Sequence, residues 1–349
     1  MNESTLLRYD GSGMRTLLAR FPQQIQDAVR IGKSAALHSR PVKPKNIVVT
    51  GLGGSAIGGD LLRSYLAEEI NIPFIVNRHY FLPAFVDKES LVIVSSYSGN
   101  TEETIAAHQD AMRRRASVIC ISSDGETERI ARKSRQPIIG IPKGFPPRAA
   151  LGYSFFAPLV ALQRMKLISG RAKDIGETVA LLRKKSALYS SPSSSKNTAL
   201  ALAKELYGKL PVVYSPADRF DVVNLRWRGQ FAENAKVLAF GHVLPEMNHN
   251  ELVGWKVLRR QMSQMAVIFL RDREEHPRVR LRIEITKQVV GEFAGKVIEA
   301  KSEGRSLLAR MFSLIYLGDW VSYYLALING IDPTPVRIID YLKRELGKS

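Results

Sequence analysis

A single cysteine, Cys120, stands among 349 residues, so no internal disulfide can form; it sits in the apolar run from Ser117 to Ser122 and reads as a buried small hydrophobe. There is no HExxH, no paired CxxC and no acidic cluster with ligand spacing, and His249 with Glu251 is too close a pair for a helical metal site. A metal is therefore not expected, and the leading reading calls for no other cofactor. No basic segment followed by an apolar core lies near the start, so no signal peptide is expected and the chain reads as cytoplasmic. A charge-free run of bilayer length is also missing. The nearest approach, Ser306 to Gly330, is broken by Arg310 and Asp319, which argues against a membrane role and for a buried helix or a dimer surface. Its aromatics, Phe312, Tyr316, Trp320, Tyr323 and Tyr324, favour an interface.

Acidic residues are scarce relative to basic ones, 33 against 51, for a net charge of +18. That excess raises nucleic acid as a partner, but it is dispersed. The clusters Arg113 to Arg115 and Arg271, Arg273, Arg278, Arg280, Arg282 lack interleaved aromatics or a nucleic-acid module, so they read as solvated surface. A positive field also steers a small dianionic substrate inward.

What is present is ordinary globular composition, 45% hydrophobic and 24% charged, in a chain long enough for two domains. A helical pattern around Met14 to Leu37 is closed by Pro41 and Pro44, giving an N-terminal helical extension over residues 1–45. Short β-branched runs then alternate with helical segments. Strands are expected at Asn46–Thr50, Pro73–Asn77, Leu91–Val94, Val118–Ile121 and Pro137–Ile141, with helices over Glu102–Arg115 and near Glu126–Lys133. The polar stretch Ser190 to Ser195 marks a boundary, so domains are expected over residues 46–189 and 196–349. Beyond it the alternation restarts: helices over Asn197–Lys209 and Phe220–Ala235, strands at Val212–Tyr214, Val237–Phe240, Met265–Leu270 and Lys296–Ala300. The fold class is α/β, with doubly wound, mostly parallel sheets flanked by helices and ligands at the carboxyl ends of the strands.

The stretch LVIVSSYSGNTEET, Leu91 to Thr104, organises the rest. A strand ends in a hydroxyl-rich turn and a helix begins at Glu102. Gly99 permits backbone geometry closed to other residues, and the first amides of the helix have no partner within it. Ser96, Ser98 and Thr101 add hydroxyls beside those amides, a set suited to the oxygens of a phosphate monoester. The plainer reading is a polar turn with Thr101 as an ordinary N-cap. Upstream, Gly51, Gly53 and Ala56 fit a dinucleotide fingerprint, but the next strand ends in Asn77 and Arg78 without the acidic residue that would hold a ribose; Arg78 leaves NADP open.

SYSGNTEET together with GLGGSAIGGD, Gly51 to Asp60, resembles the sugar isomerase (SIS) domain. From about Asn46 to Leu346 the chain resembles the bifunctional phosphoglucose/phosphomannose isomerases, which carry two SIS subdomains in one chain. The resemblance implies an aldose–ketose isomerase of glycolysis and gluconeogenesis that interconverts glucose 6-phosphate or mannose 6-phosphate with fructose 6-phosphate through a cis-enediol. It also implies a homodimer whose active sites use residues of both subunits. The second subdomain lacks a copy of SYSGNT and is expected to supply scaffold and catalytic groups.

Several residues take roles from that resemblance. Glu233, in QFAENAK, matches the catalytic base; alone, a helix-end glutamate usually faces solvent. His249, in EMNHNELVGW, matches a ring-opening group that crosses from one subunit to the other; alone, it would merely order a turn. Lys343, in DYLKRELG, matches a second ring-opening group, although a lysine there ordinarily complements a helix C-terminus. Gly54, Ser55, Ser96, Ser98 and Thr101 would anchor phosphate. Arg148, in a proline-rich loop, would lie near the reacting end. Thr334, held between Pro333 and Pro335, matches a threonine that leaves room where glucose-only isomerases carry glutamine. The competing readings are a tandem-SIS aminosugar phosphate isomerase or deaminase, a phosphosugar-binding regulator, and an NADP oxidoreductase.

Overall fold

Residues Asn46 to Thr50 are buried along their whole length, as a strand in the middle of a parallel sheet must be when helices cover both faces. The computed structural model describes residues 4, 7–37 and 43–348. They group into a first unit of residues 20–180 with 306–308, and a second of residues 1–19, 181–305 and 309–349.

The N-terminal helical pattern forms two helices, α1 (Met14–Ala19) and α2 (Phe21–Ser34). Pro22 explains the break, because proline fits a first turn but its ring collides with the preceding turn inside a helix. Pro41, expected to close this segment, lies outside the described residues.

In the first unit the chain runs β1 (Asn46–Thr50), α3 (Gly53–Leu66), β2 (Phe74–Asn77), β3 (Ser90–Ser96), α4 (Glu102–Arg113), β4 (Ser117–Ser122), α5 (Gly125–Lys133), β5 (Ile138–Gly140) and α6 (Leu151–Arg164). The strands pair in parallel in the order β2-β1-β3-β4-β5. The order reverses between β1 and β3, so the loops leaving those strands diverge and open a crevice at the carboxyl edge, where ligands of such sheets bind. Helix α6 is buried almost throughout and packs on α2 so closely that a Cβ at Gly32 would lie 2.6 Å from the Ala157 carbonyl oxygen.

Helix α7 (Ala172–Tyr189) spans the division between the units. The second unit continues with α8 (Thr198–Leu206), β6 (Leu210–Pro216), α9 (Asp221–Gln230), β7 (Phe240–Leu244), β8 (Met265–Arg271), α10 (Pro277–Gly291), β9 (Lys296–Lys301), α11 (Leu307–Ile328) and α12 (Arg337–Leu346). Its four strands are again all parallel, in the order β7-β6-β8-β9.

Three expectations need correction here. The strand anticipated at Val237–Phe240 begins only at Phe240. The β-branched Val237 misled, whereas Gly241 is what lets the strand close on its neighbour: a Cβ there would stand 2.1 Å from the Val213 carbonyl oxygen. Arg271 is not solvated surface but is buried among Glu275, Glu284 and Glu299. The aromatics of α11 do not form an exposed interface; Phe312, Tyr316, Trp320, Tyr323 and Tyr324 are fully buried.

Helix α11 is long and apolar enough to cross a membrane by composition, yet 89% of its most apolar window is buried within the fold, as in the core helix of a globular unit. Both charges that interrupt it are paired. Arg226 forks onto Asp319 at 2.8 and 3.1 Å, and Arg310 Nε reaches Asp272 at 2.9 Å. Stranding one member of such a buried pair costs about 3–5 kcal/mol, so these contacts fix the register of α11 more than they add net stability. Its tyrosines tie down the chain start: Tyr316 donates to the Leu18 carbonyl at 2.9 Å and Tyr323 to Asp10 at 3.1 Å.

Candidate active site

At the carboxyl edge of the first sheet three loops interlock. The turn after β3 doubles back at Gly99, whose φ of +71° is in the left-handed region; a Cβ there would stand 1.7 Å from the Asp124 carbonyl oxygen, so only glycine fits. Thr127 from α5 returns the contact, its amide and hydroxyl each donating to the Gly99 carbonyl at 2.9 Å. Asn100 accepts from the Glu126 amide at 3.0 Å. The hydroxyl turn is thus fastened from behind while Ser98 remains exposed.

Thr101 occupies the N-cap position of α4, but its side chain makes no capping bond; instead Ser96 Oγ donates to its hydroxyl at 3.3 Å. The ordinary N-cap reading therefore fails. The opening amides of a twelve-residue helix stay unclaimed by that side chain, at the positive end of the helix. Ser55 reaches over from α3: its hydroxyl accepts from the Tyr97 amide at 3.0 Å and its carbonyl accepts from Ser95 Oγ at 3.2 Å.

Gly54 has a different task. A Cβ on it would be 2.6 Å from the Pro147 carbonyl group and 2.9 Å from the Arg148 amide, so glycine lets the proline-rich loop lie on the start of α3. Arg148 sits there in a short 3₁₀ turn and is only 3% exposed, unlike a surface ion-pair residue. Tyr97, which sequence reasoning passed over, clamps the same loop. Its hydroxyl donates to the Pro142 carbonyl at 2.9 Å and accepts from the Phe145 amide at 2.8 Å. Burial pushes its phenol up from the usual value, which keeps the donor proton in place. Arg78 is engaged by Asp60, so the cation that left NADP open already has a carboxylate partner.

In the second unit, α9 widens at its end into a π-type turn, Phe231–Ala235, that carries Glu233. Such wider turns recur at functional sites because they push a side chain out of the regular helical stack. The helix beneath is held firmly on α11: Trp227 Nε1 donates to the Leu314 carbonyl at 2.8 Å, Gln230 to Asp319 at 2.8 Å, and Asn234 to Ser322 at 3.0 Å. Glu233 is half-buried and lines a cavity of about 610 Å³ with Lys236, Asp332, Pro335, Val336 and Ile338.

The loop bearing Thr334 reaches this cavity. Thr334 is half-buried, and its amide donates to Asp332 Oδ1 at 2.9 Å. Lys236 joins the two segments, donating to the carbonyls of Glu233 and Pro333 at 2.6 and 2.9 Å. No sequence signal marked Lys236.

His249 ends a 3₁₀ turn, Glu246–His249, and is exposed. The residues beside it are anchored, Met247 in the core and Asn248 on Thr286 at 2.9 Å. Lys343 lies on α12, all of whose described side chains are exposed or nearly so. Among the described residues neither His249 nor Lys343 makes a side-chain hydrogen bond or ion pair, and neither lines the Glu233 cavity. The structure brings Glu233 and the Thr334 loop together within the second unit, and Gly54, Ser55, Ser96, Thr101 and the Arg148 loop together within the first. Among the described residues no group of three or more histidine, cysteine or acidic side chains is arranged to hold a metal ion.

Two parallel sheets, one with a phosphate-type loop at its switch point, define a tandem SIS-domain protein. Residues 42–165 match the SIS domain family, and residues 195–346 match the bacterial phospho-glucose isomerase C-terminal SIS domain. A bifunctional phosphoglucose/phosphomannose isomerase of Caldicellulosiruptor bescii is 44% identical over 94% of this chain and 97% of its own. Another, from Aquifex aeolicus, is 38% identical over 87% of this chain and 91% of its own. Among solved structures, a hypothetical protein of Thermus thermophilus shares the fold with a TM-score of 0.74 at 17% identity, covering 99% of this chain and 93% of that one. The chain belongs to the bifunctional phosphoglucose/phosphomannose isomerase family.

Proposed function

We propose that the protein is an aldose–ketose isomerase that interconverts glucose 6-phosphate or mannose 6-phosphate with fructose 6-phosphate by proton transfer through a cis-enediol. Kinship at 44% identity along 94% of the chain is the observation that carries this reading. In it the domain of residues 46–189 anchors the substrate and that of residues 196–349 performs the chemistry. Amides at the start of α4, with Ser55, Ser96, Ser98 and Thr101, receive the phosphate; Gly54 keeps that ground clear of a side chain, and Arg148 serves the sugar end.

Glu233 is the base. It takes the proton beside the carbonyl and returns it to the neighbouring carbon, so the carbonyl moves between C1 and C2 with no change in composition or oxidation level. His249 and Lys343 open the cyclic sugar by exchanging protons with the ring oxygen and the anomeric hydroxyl. Thr334 leaves space for the enediol to turn about the C2–C3 bond, so a single base serves both epimers. No cofactor takes part. The enzyme works in the cytoplasm as a homodimer with shared active sites, and the exposure of His249 supports its crossing to the partner.

The test is a coupled assay of purified protein on each aldose phosphate in the presence of a chelator. Glu233→Gln keeps the size and hydrogen bonding of the side chain but cannot accept the proton, so turnover should fall by roughly two to four decades while KM is retained. Near-normal turnover by this variant removes Glu233 from the mechanism.

A further inference from the structure

Lys236 is one of five lysine or arginine residues with positive φ among the described residues, with Arg115, Arg135, Lys166 and Arg219. It ends the Glu233 turn in the left-handed region, with φ of +57°, and its amide donates to the Phe231 carbonyl. Residues other than glycine rarely rest there, asparagine and aspartate being the usual exceptions.

The side chain reaches two backbone carbonyls. Its ammonium donates to the carbonyl of Glu233 at 2.6 Å and to the carbonyl of Pro333 at 2.9 Å. The second of these oxygens belongs to the peptide that leads into Thr334. On its other side the same loop is fixed by Asp332, which accepts from the Thr334 amide at 2.9 Å and from Ser12 Oγ at 2.9 Å. Glycine at position 236 would relieve the backbone but lose the tie. Asparagine would tolerate the backbone but has too short a side chain to make both bonds. Lysine combines reach with several donors on one nitrogen.

We propose that Lys236 is a positioning residue that sets the spacing between the turn carrying Glu233 and the loop carrying Thr334, and through that spacing the balance of the enzyme's activity on mannose 6-phosphate and glucose 6-phosphate. The inference rests on the assignments of Glu233 and Thr334 made above. Rotation of the enediol needs room on the Thr334 side while the base stays in reach of the proton. The two demands oppose each other, and a bridge of fixed length between the carbonyls holds the compromise. Lys236 itself moves no proton.

Lys236→Met keeps the length and loses the donors, and Lys236→Arg keeps donors. The measurement is kcat and KM on both aldose phosphates for the wild type, both variants and Glu233→Gln, with a thermal melt of each. For Lys236→Met the expected result is a kcat loss on the order of ten- to a hundredfold, the scale of a misplacement near 1 Å. KM should stay within about twofold, because the phosphate anchor lies in other residues. The loss should differ between the two sugars, and Lys236→Arg should recover both rate and ratio. An unchanged ratio of the two activities, with or without a lower melting temperature, overturns the proposal while leaving the base assignment standing. An active Glu233→Gln overturns the base assignment and this inference with it.

Discussion

In the proposed phosphate site, glycine and hydroxyl residues carry the anchor, and they do so by different means. Gly99 and Gly54 are required by backbone approach, at 1.7 Å and 2.6 Å from where a Cβ would meet a neighbouring carbonyl group, and a sequence reader can suspect both because glycines cluster there. Ser96 and Thr101 bond to one another and Ser55 holds the Tyr97 amide, so those hydroxyls shape the loop as well as lining it. Ser98 accepts only a long bond of 3.3 Å from the Asn100 amide and is exposed, which leaves its proton for a ligand. Ser98→Ala or Thr101→Val should therefore weaken phosphosugar binding by about 1–3 kcal/mol for each hydrogen bond lost to a charged group. Inorganic phosphate should compete with substrate in the wild type. A KM unmoved by either substitution, with no inhibition by phosphate, would take the phosphate site out of this loop. Tyr97 and Lys236 were not legible in the sequence because their roles come from side chains reaching loops 45 and 97 residues away.

At the scale of elements, the hydrophobic runs of the first sheet announced their strands because a parallel sheet covered on both faces needs unbroken apolar residues. The interval between α9 and β7 was harder. A π-type turn has no sequence signature of its own, and Val237 invited a strand that forms three residues later, at Phe240–Leu244. In the proposed mechanism the loop after α11 matters more for specificity. Its prolines hold Thr334 in place, and Lys236 ties it to the segment of the base. Thr334→Gln should lower kcat/KM on mannose 6-phosphate much more than on glucose 6-phosphate, since the added bulk obstructs only the rotated enediol. Equal losses on the two sugars would make Thr334 a packing residue and leave dual specificity to another element.

For the whole molecule, two parallel sheets were readable from the alternation of runs, whereas the fate of α11 was not. Composition alone does not distinguish a core helix from an interface, and its fully buried Tyr316, Trp320 and Tyr324 belong to the interior. Exposed apolar residues lie elsewhere in the second unit: Val253 and Val257 follow His249, and Ile338 and Leu342 precede Lys343 on its helix. Those surfaces support the homodimer reading. If His249 serves the partner's Glu233, coexpressing Glu233→Gln with His249→Ala chains gives mixed dimers with one intact site of two, and about a quarter of wild-type activity in a random mixture. No recovery would put both groups in one subunit's site.

Fructose 6-phosphate incubated with the enzyme in heavy water, followed by NMR of the products, tests the central claim most directly. A single base acting through an enediol exchanges a part of the abstracted protons with solvent before returning them. Both glucose 6-phosphate and mannose 6-phosphate should then appear carrying deuterium at C2, and Glu233→Gln should form neither at a comparable rate. Formation of only one aldose, or formation of either by Glu233→Gln at a comparable rate, would contradict the account.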